Sequence, residues 1–104
     1  MDLALKAIAE PRRRAILELV RDGELASGEI ARHFDVSGPA ISQHLGVLKE
    51  AGLVTERRAG TRRLYQARPE GLDEVRAFVE AFWDHRLDRL RDAAERAQRE
   101  KEHS

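Results

Sequence analysis

The stretch from Ser27 to Glu50, SGEIARHFDVSGPAISQHLGVLKE, decides the fold. Its first part places Ile30, Ala31 and Phe34 on one face of a short helix, with Ser27 as the expected N-cap. Its second part opens at Ser37, another expected N-cap, with Gly38 and Pro39 in the first helical turn. Ile41, Leu45 and Leu48 then recur at i, i+4 and i+7, and Gly52 ends the helix. Only Asp35-Val36-Ser37 separates the two helices, with Val36 as an apolar plug and Asp35 where a left-handed residue suits the turn. So short a connection forces a steep crossing, which is the helix-turn-helix arrangement.

Turning the second helix of the pair puts Pro39, Gln43, Gly46 and Glu50 opposite the apolar stripe, with Ser42 and Lys49 on one flank. His44 falls at the edge of the buried arc, better placed for a phosphate or a core contact than for a base. A helix lying in the major groove reads bases from its N-terminal half, and Gln can bond adenine through two hydrogen bonds. Gly46 removes a side chain that would hold the helix away from a groove. An exposed polar face alone is ordinary for a surface helix; its meaning comes from the next segment. Leu53 to Arg58 and Arg62 to Ala67 flank Ala59-Gly60-Thr61 and read as a hairpin, with alternation too weak to fix the register. Arg57, Arg58, Arg62 and Arg63 gather four guanidiniums at its tip. Their repulsion asks for a nearby anion, and Arg suits phosphate or a narrow minor groove.

Charge points the same way. Nineteen basic and nineteen acidic side chains cancel over 104 residues, yet residues 37–68 carry +4 while the flanking segments carry −1 and −3. The expected order is four helices, a hairpin and a long last helix. This is a mainly α winged helix-turn-helix domain over residues 1–104, with the helix-turn-helix at about 27–51 and the wing at about 53–67. Leu3, Ala4, Ala7 and Ile8 form a first helix that stops before Pro11, and Ala15, Ile16, Leu19 and Val20 stripe a second one that Gly23 can close. From Leu72 to about Glu100 the chain is helical for roughly 40 Å, longer than so small a domain needs. Val75, Phe78, Val79 and Phe82 are expected to cover the core, and Trp83, Leu87, Leu90, Ala94 and Ala97 to pack on a partner helix. The simplest partner is a second copy, joined also through Leu3 and Leu5 of the first helix.

Much is excluded. There is no cysteine, hence no disulfide or thiolate metal site, and no apolar run reaches the roughly 20 residues of a membrane span. Asp2 and an amphipathic stretch follow Met1 instead of a signal core, so the cytoplasm is the expected compartment. No paired carboxylates, nucleophile or phosphate-cradling glycine loop suggests an enzyme, and no cofactor is implied. The rival to DNA binding is a winged-helix module that docks another protein, which an apolar patch on the exposed face of the second helix would favour.

The segments AIAEPRRRAIL at 7–17, VSGPAISQHL at 36–45 and LKEAGLV at 48–54 resemble the ArsR/SmtB-type winged-helix repressors over about residues 5–90. The resemblance implies a homodimeric bacterial repressor that leaves DNA on meeting a signal. The recognition helix duplicated in a dimer makes an inverted repeat the expected operator, and the signal is left open between a small-molecule inducer, a sequestering partner and none at all. The resemblance further implies DNA contacts by Pro39, Ser42, Gln43 and His44, with Arg62 and Arg63 on the wing. Ser37, Lys49, Arg57 and Arg58 complete the expected interface. The sequence departs from the metal sensors of that family. Asp84 and His85 are neighbours that face apart on a helix, Arg89 and Arg96 stand where a second ligand would lie, and His33 and His103 are scattered. Zinc, cadmium or arsenite in modest excess should therefore leave bound DNA in place. A tenfold weakening reversed by a chelator would reveal a site around Asp84 and His85.

Overall fold

The computed structural model describes residues 1–103, which divide into two compact units, one ending at Asp73 and one beginning at Glu74. The first contains α1 (Asp2–Ile8), α2 (Pro11–Leu19), β1 (Leu25–Ala26), α3 (Ser27–Ala31), α4 (Gly38–Glu50), β2 (Val54–Ala59), β3 (Arg62–Ala67) and one tight helical turn, Pro69–Leu72. The second is the helix α5 (Asp73–His103).

Local chemistry sets most of these boundaries. Glu10 caps α2 by accepting from the Arg13 N–H at 3.0 Å, and Pro11 fills the first position, where no donor is needed. Ser37 caps α4 through its hydroxyl, which accepts from the Ala40 N–H at 3.3 Å. Gly52, at φ 76°, ends α4 in the left-handed conformation that glycine adopts without strain. Arg13 serves the other end of a helix: its Nε and Nη2 donate to the Ala7 and Lys6 carbonyls at 2.7 and 3.0 Å. Arg14 donates to Ile8 O at 2.7 Å, so two arginines of α2 satisfy the last carbonyls of α1.

The sheet has three antiparallel strands in the order β1-β3-β2. Leu25 and Ala26 pair with Tyr65 and Leu64, adding a strand to the expected hairpin that is too short to show any alternation. The hairpin register runs from Val54 opposite Ala67 to Ala59 opposite Arg62, leaving a two-residue turn, Gly60-Thr61. Gly60 at φ 65° stands first, the glycine-first pattern of type II′ hairpins. The core runs from Ala4 and Ala7 through Ile16, Val20, Ile30, Ile41, Leu45, Leu48 and Leu53 to Val54, Leu64 and Tyr65. Each fully buried Ile or Leu contributes roughly 1.5–3 kcal/mol, so the three from α4 matter most for how that helix sits.

Five expectations are corrected. Ala26, not Ser27, is the N-cap of α3, and the Glu29 carboxylate accepts from its N–H at 3.1 Å. The helix ends at Ala31 before Phe34, with the His33 and Phe34 N–H groups bonded three residues back, so the connection runs over Arg32–Ser37. Asp35 is not left-handed, since only Gly52 and Gly60 have positive φ among the described residues. The longer connection removes the need for it. Gly23 does not close α2, which ends at Leu19 with Val20 as cap. The residues of α5 expected to be covered are not, with Phe78, Val79 and Phe82 at 60%, 45% and 70% exposure and no buried residue on that helix.

Below the wing the chain is pinched. A Cβ at Gly71 would collide with the Gly52 carbonyl oxygen and stand 2.9 Å from Leu53 Cδ2, whereas one at Gly23 would meet nothing within 4 Å. Gly71→Ala should therefore cost about 1–3 kcal/mol in denaturant unfolding, with Gly23→Ala close to neutral as the control.

Candidate nucleic-acid interface

The buried stripe of Ile41, Leu45 and Leu48 turns the opposite side of α4 outward. Pro39, Ser42, Gln43, Gly46, Lys49 and Glu50 are all exposed, as the periodicity requires. None of the exposed large hydrophobic side chains belongs to this face. Ser37 is exposed too, but its hydroxyl is engaged in capping. Nothing lies within 4 Å of a Cβ built on Gly46, so the fold leaves that position open.

His44 is half-buried, and its Nδ1 lies 3.4 Å from Arg13 Nη1. A guanidinium only donates, so Nδ1 accepts and the ring proton sits on Nε2, which remains a donor. Arg13 thus joins α1, α2 and α4 through one side chain. Sequence patterning missed this role, because Arg13 and His44 are 31 positions apart.

The wing arginines have partners that the sequence did not announce. Arg57 donates to both Glu24 oxygens, Nε to Oε2 at 2.6 Å and Nη2 to Oε1 at 2.8 Å. That hydrogen bond holds the Glu24 carboxyl below its usual range and raises the Arg57 guanidinium in turn. Arg62 pairs with Glu29 at 2.5 Å. Lys49 Nζ meets Glu56 Oε2 at 2.9 Å, and Arg63 Nε lies 3.7 Å from Oε1 of the same carboxylate. The Lys49 hydrogen bond keeps the Glu56 carboxyl low, while burial and the nearby Glu56 charge push the Tyr65 hydroxyl up. Arg58 has no hydrogen bond or ion pair among the described residues. The expectation of four mutually repelling arginines is therefore corrected, since three of them stand beside a glutamate. Glu56 alone among these acids lies inside the wing; Glu29 belongs to α3 and Glu24 immediately precedes β1.

Of the residues expected at a subunit interface, Leu3, Leu5, Trp83, Leu87 and Leu90 are 58%, 42%, 52%, 57% and 57% exposed, and Ala94 is exposed as well. Arg86 lies over the Trp83 ring at 5.3 Å. Among the described residues no three His, Asp or Glu side chains gather as metal ligands, and no helix is long and apolar enough to cross a membrane.

A helix-turn-helix whose second helix presents a polar face, followed by an arginine-rich hairpin, defines a winged helix-turn-helix DNA-binding module. The model of the bacterial regulatory protein arsR family matches residues 10–56. The chain is 52% identical over 86 residues to the HTH-type transcriptional regulator Rv2034 of Mycobacterium tuberculosis, covering 83% of this chain and 80% of that one. It is 45% identical over 60 residues to the transcriptional repressor SdpR of Bacillus subtilis, covering 58% and 67%. A solved structure described as a "Possible transcriptional regulator for arsenical resistance" superposes with a TM-score of 0.72 at 48% identity, covering 86% and 93%. The chain belongs to the ArsR family of bacterial regulatory proteins. It is a DNA-binding transcriptional regulator, not an enzyme.

Gly46 separates stability from function. Gly46→Ala should raise helix stability by roughly 0.5–1 kcal/mol and weaken binding to duplex DNA. Thermal unfolding and fluorescence anisotropy measure the two effects, and equal binding by both proteins would mean that this stretch of α4 keeps its distance from DNA.

Proposed function

We propose that the protein is a homodimeric repressor that binds an inverted-repeat operator, with half-sites about one helical turn apart, and leaves it on meeting a signal. Gln43 and Ser42 read base edges, while Ser37, Pro39, His44 through Nε2–H, Lys49 and the wing hold the backbone. The observation that carries this reading is the polar, unobstructed outer face of α4, within a segment of charge +4 in an otherwise acidic chain. A module built to dock protein would present large apolar side chains there, and none of the exposed large hydrophobic residues belongs to α4.

The second copy is supported by the apolar surface that one chain leaves open. Leu3 and Leu5 on α1, and Phe78, Phe82, Trp83, Leu87 and Leu90 on α5, are each more than two-fifths exposed. A monomer that kept all of this in water would forgo about 25 cal/mol per Å² of apolar area. Two copies also supply the two recognition helices that an inverted repeat needs. The signal is a small-molecule inducer or a sequestering partner.

Analytical ultracentrifugation at micromolar concentration should give a dimer, and a monomer would overturn this reading. On an operator selected from genomic fragments, Gln43→Ala should cost about 1–3 kcal/mol and relax preference at one base pair, with little loss on mixed-sequence DNA. Equal losses on both DNAs would assign Gln43 to structural support.

A further inference from the structure

Resting on the DNA-binding reading above, we propose that the pleat of the wing divides its four arginines between two tasks. Arg58 and Arg63, with Lys49, form the phosphate clamp. Arg57 and Arg62 are braces that fasten the wing to Glu24 and Glu29.

Side chains alternate between the faces of a strand, and residues directly opposite across a ladder share a face. Arg57 stands opposite Leu64, and Arg62 opposite Ala59, so these four lie on one face together with Thr55 and Gln66. Leu64 is buried on this face as Val54 and Tyr65 are on the other, so what sets this face apart is that both of its arginines end on carboxylates outside the hairpin. The Glu24 pair uses both oxygens and two nitrogens of the guanidinium fork. Glu29 is committed twice, since its Oε1 accepts from the Ala26 N–H at the start of α3 as well as from Arg62. A phosphate that drew Arg62 away would take one of two donors from the carboxylate that caps α3. Both pairs tie β2 and β3 to the segment that carries β1 and α3.

The opposite face has the reverse balance. Arg58 and Arg63 are directly opposed, so two like charges face each other across the ladder, an unfavourable pairing unless an anion is shared. Lys49 reaches this face from α4 through Glu56. Lys49 and Arg63 share the Glu56 carboxylate, and Arg58 stands on the same face without a partner of its own among the described residues. Three cations thus face one carboxylate, which leaves two positive charges over. Glu56 is a positioning residue here: it holds a side chain of the recognition helix and one of the wing at a fixed spacing. The surplus charge on a pair of guanidinium forks suits a phosphate oxygen, and such contacts position without reading sequence.

The test uses the full chain and a fluorescein-labelled mixed-sequence duplex, with affinity followed by anisotropy against salt concentration. Arg58→Ala/Arg63→Ala removes up to four phosphate contacts from a dimer, so the log–log slope should become shallower by up to about 3–4. Arg58→Lys/Arg63→Lys should restore most of the slope, because either cation releases counterions. Arg57→Ala/Arg62→Ala should keep the slope within about one unit of the wild type and lower the melting temperature. If that variant does not fold, Glu24→Gln/Glu29→Gln frees the same arginines without deleting them, and the slope should stay or steepen. A slope lost through Arg57 and Arg62, or lost equally from both pairs, would overturn the division while leaving DNA binding intact. A wild-type protein that ignores the duplex even at low salt would overturn the DNA-binding reading itself.

Discussion

The burial of Ile41, Leu45 and Leu48 is the constraint on which the rest depends. Three large side chains at helical spacing leave α4 one favourable roll, since turning it by a single residue would bring Ser42 or Lys49 into the core and bare a leucine. Once the roll is fixed, Gln43 and Gly46 face outward, His44 meets Arg13 at the margin, and Lys49 reaches the wing. The stop at Gly52 then sends the chain into β2 immediately, so the position of the hairpin is set by the same helix. Specificity chemistry and backbone-holding chemistry are thus both referred to one packed stripe.

What was legible in the sequence was what leaves a local mark. The stripe of α4, the Ser37 cap, the Gly52 stop and the glycine turn of the hairpin each depend on residues close together in the chain, and each was readable. The outward set Pro39, Ser42, Gln43 and Gly46 followed from helical geometry alone. What was not legible depended on distant pairs. Arg57 with Glu24, Arg62 with Glu29 and Arg13 with His44 lie 33, 33 and 31 positions apart, and no periodicity links them. β1 has two residues, too few for a pattern, and owes its existence to the free edge of β3. The misplaced end of α3 and the ordinary backbone of Asp35 share one cause, a connection longer than the apolar spacing suggested.

Charge is organised by its minority. Residues 37–68 contain only two acids, and one of them, Glu56, draws together a lysine and an arginine from different elements. Glu24 and Glu29 belong to the acidic first third, yet act on the basic middle one. Overall neutrality is therefore compatible with a DNA-binding surface, because the acids stand where they hold arginines in place. With the Glu24 and Glu56 carboxyls held below their usual range, their charge persists throughout the neutral range and some way below it. Exposed pairs of this kind add little stability one by one; their contribution is to direct side chains.

The two-residue turn at Gly60-Thr61 gives the wing a parity. A sheet alternates with a period of two, so one residue gained or lost within β2 would exchange every side chain beyond it between the faces. Arg57 would leave the face that meets Glu24 and Arg58 would take its place there, with the composition of the wing almost unchanged. Evolution of this hairpin should then proceed in even steps, or through changes confined to the turn. Two relatives whose wings carry the same arginines but differ in strand length by one residue would present opposite faces to DNA.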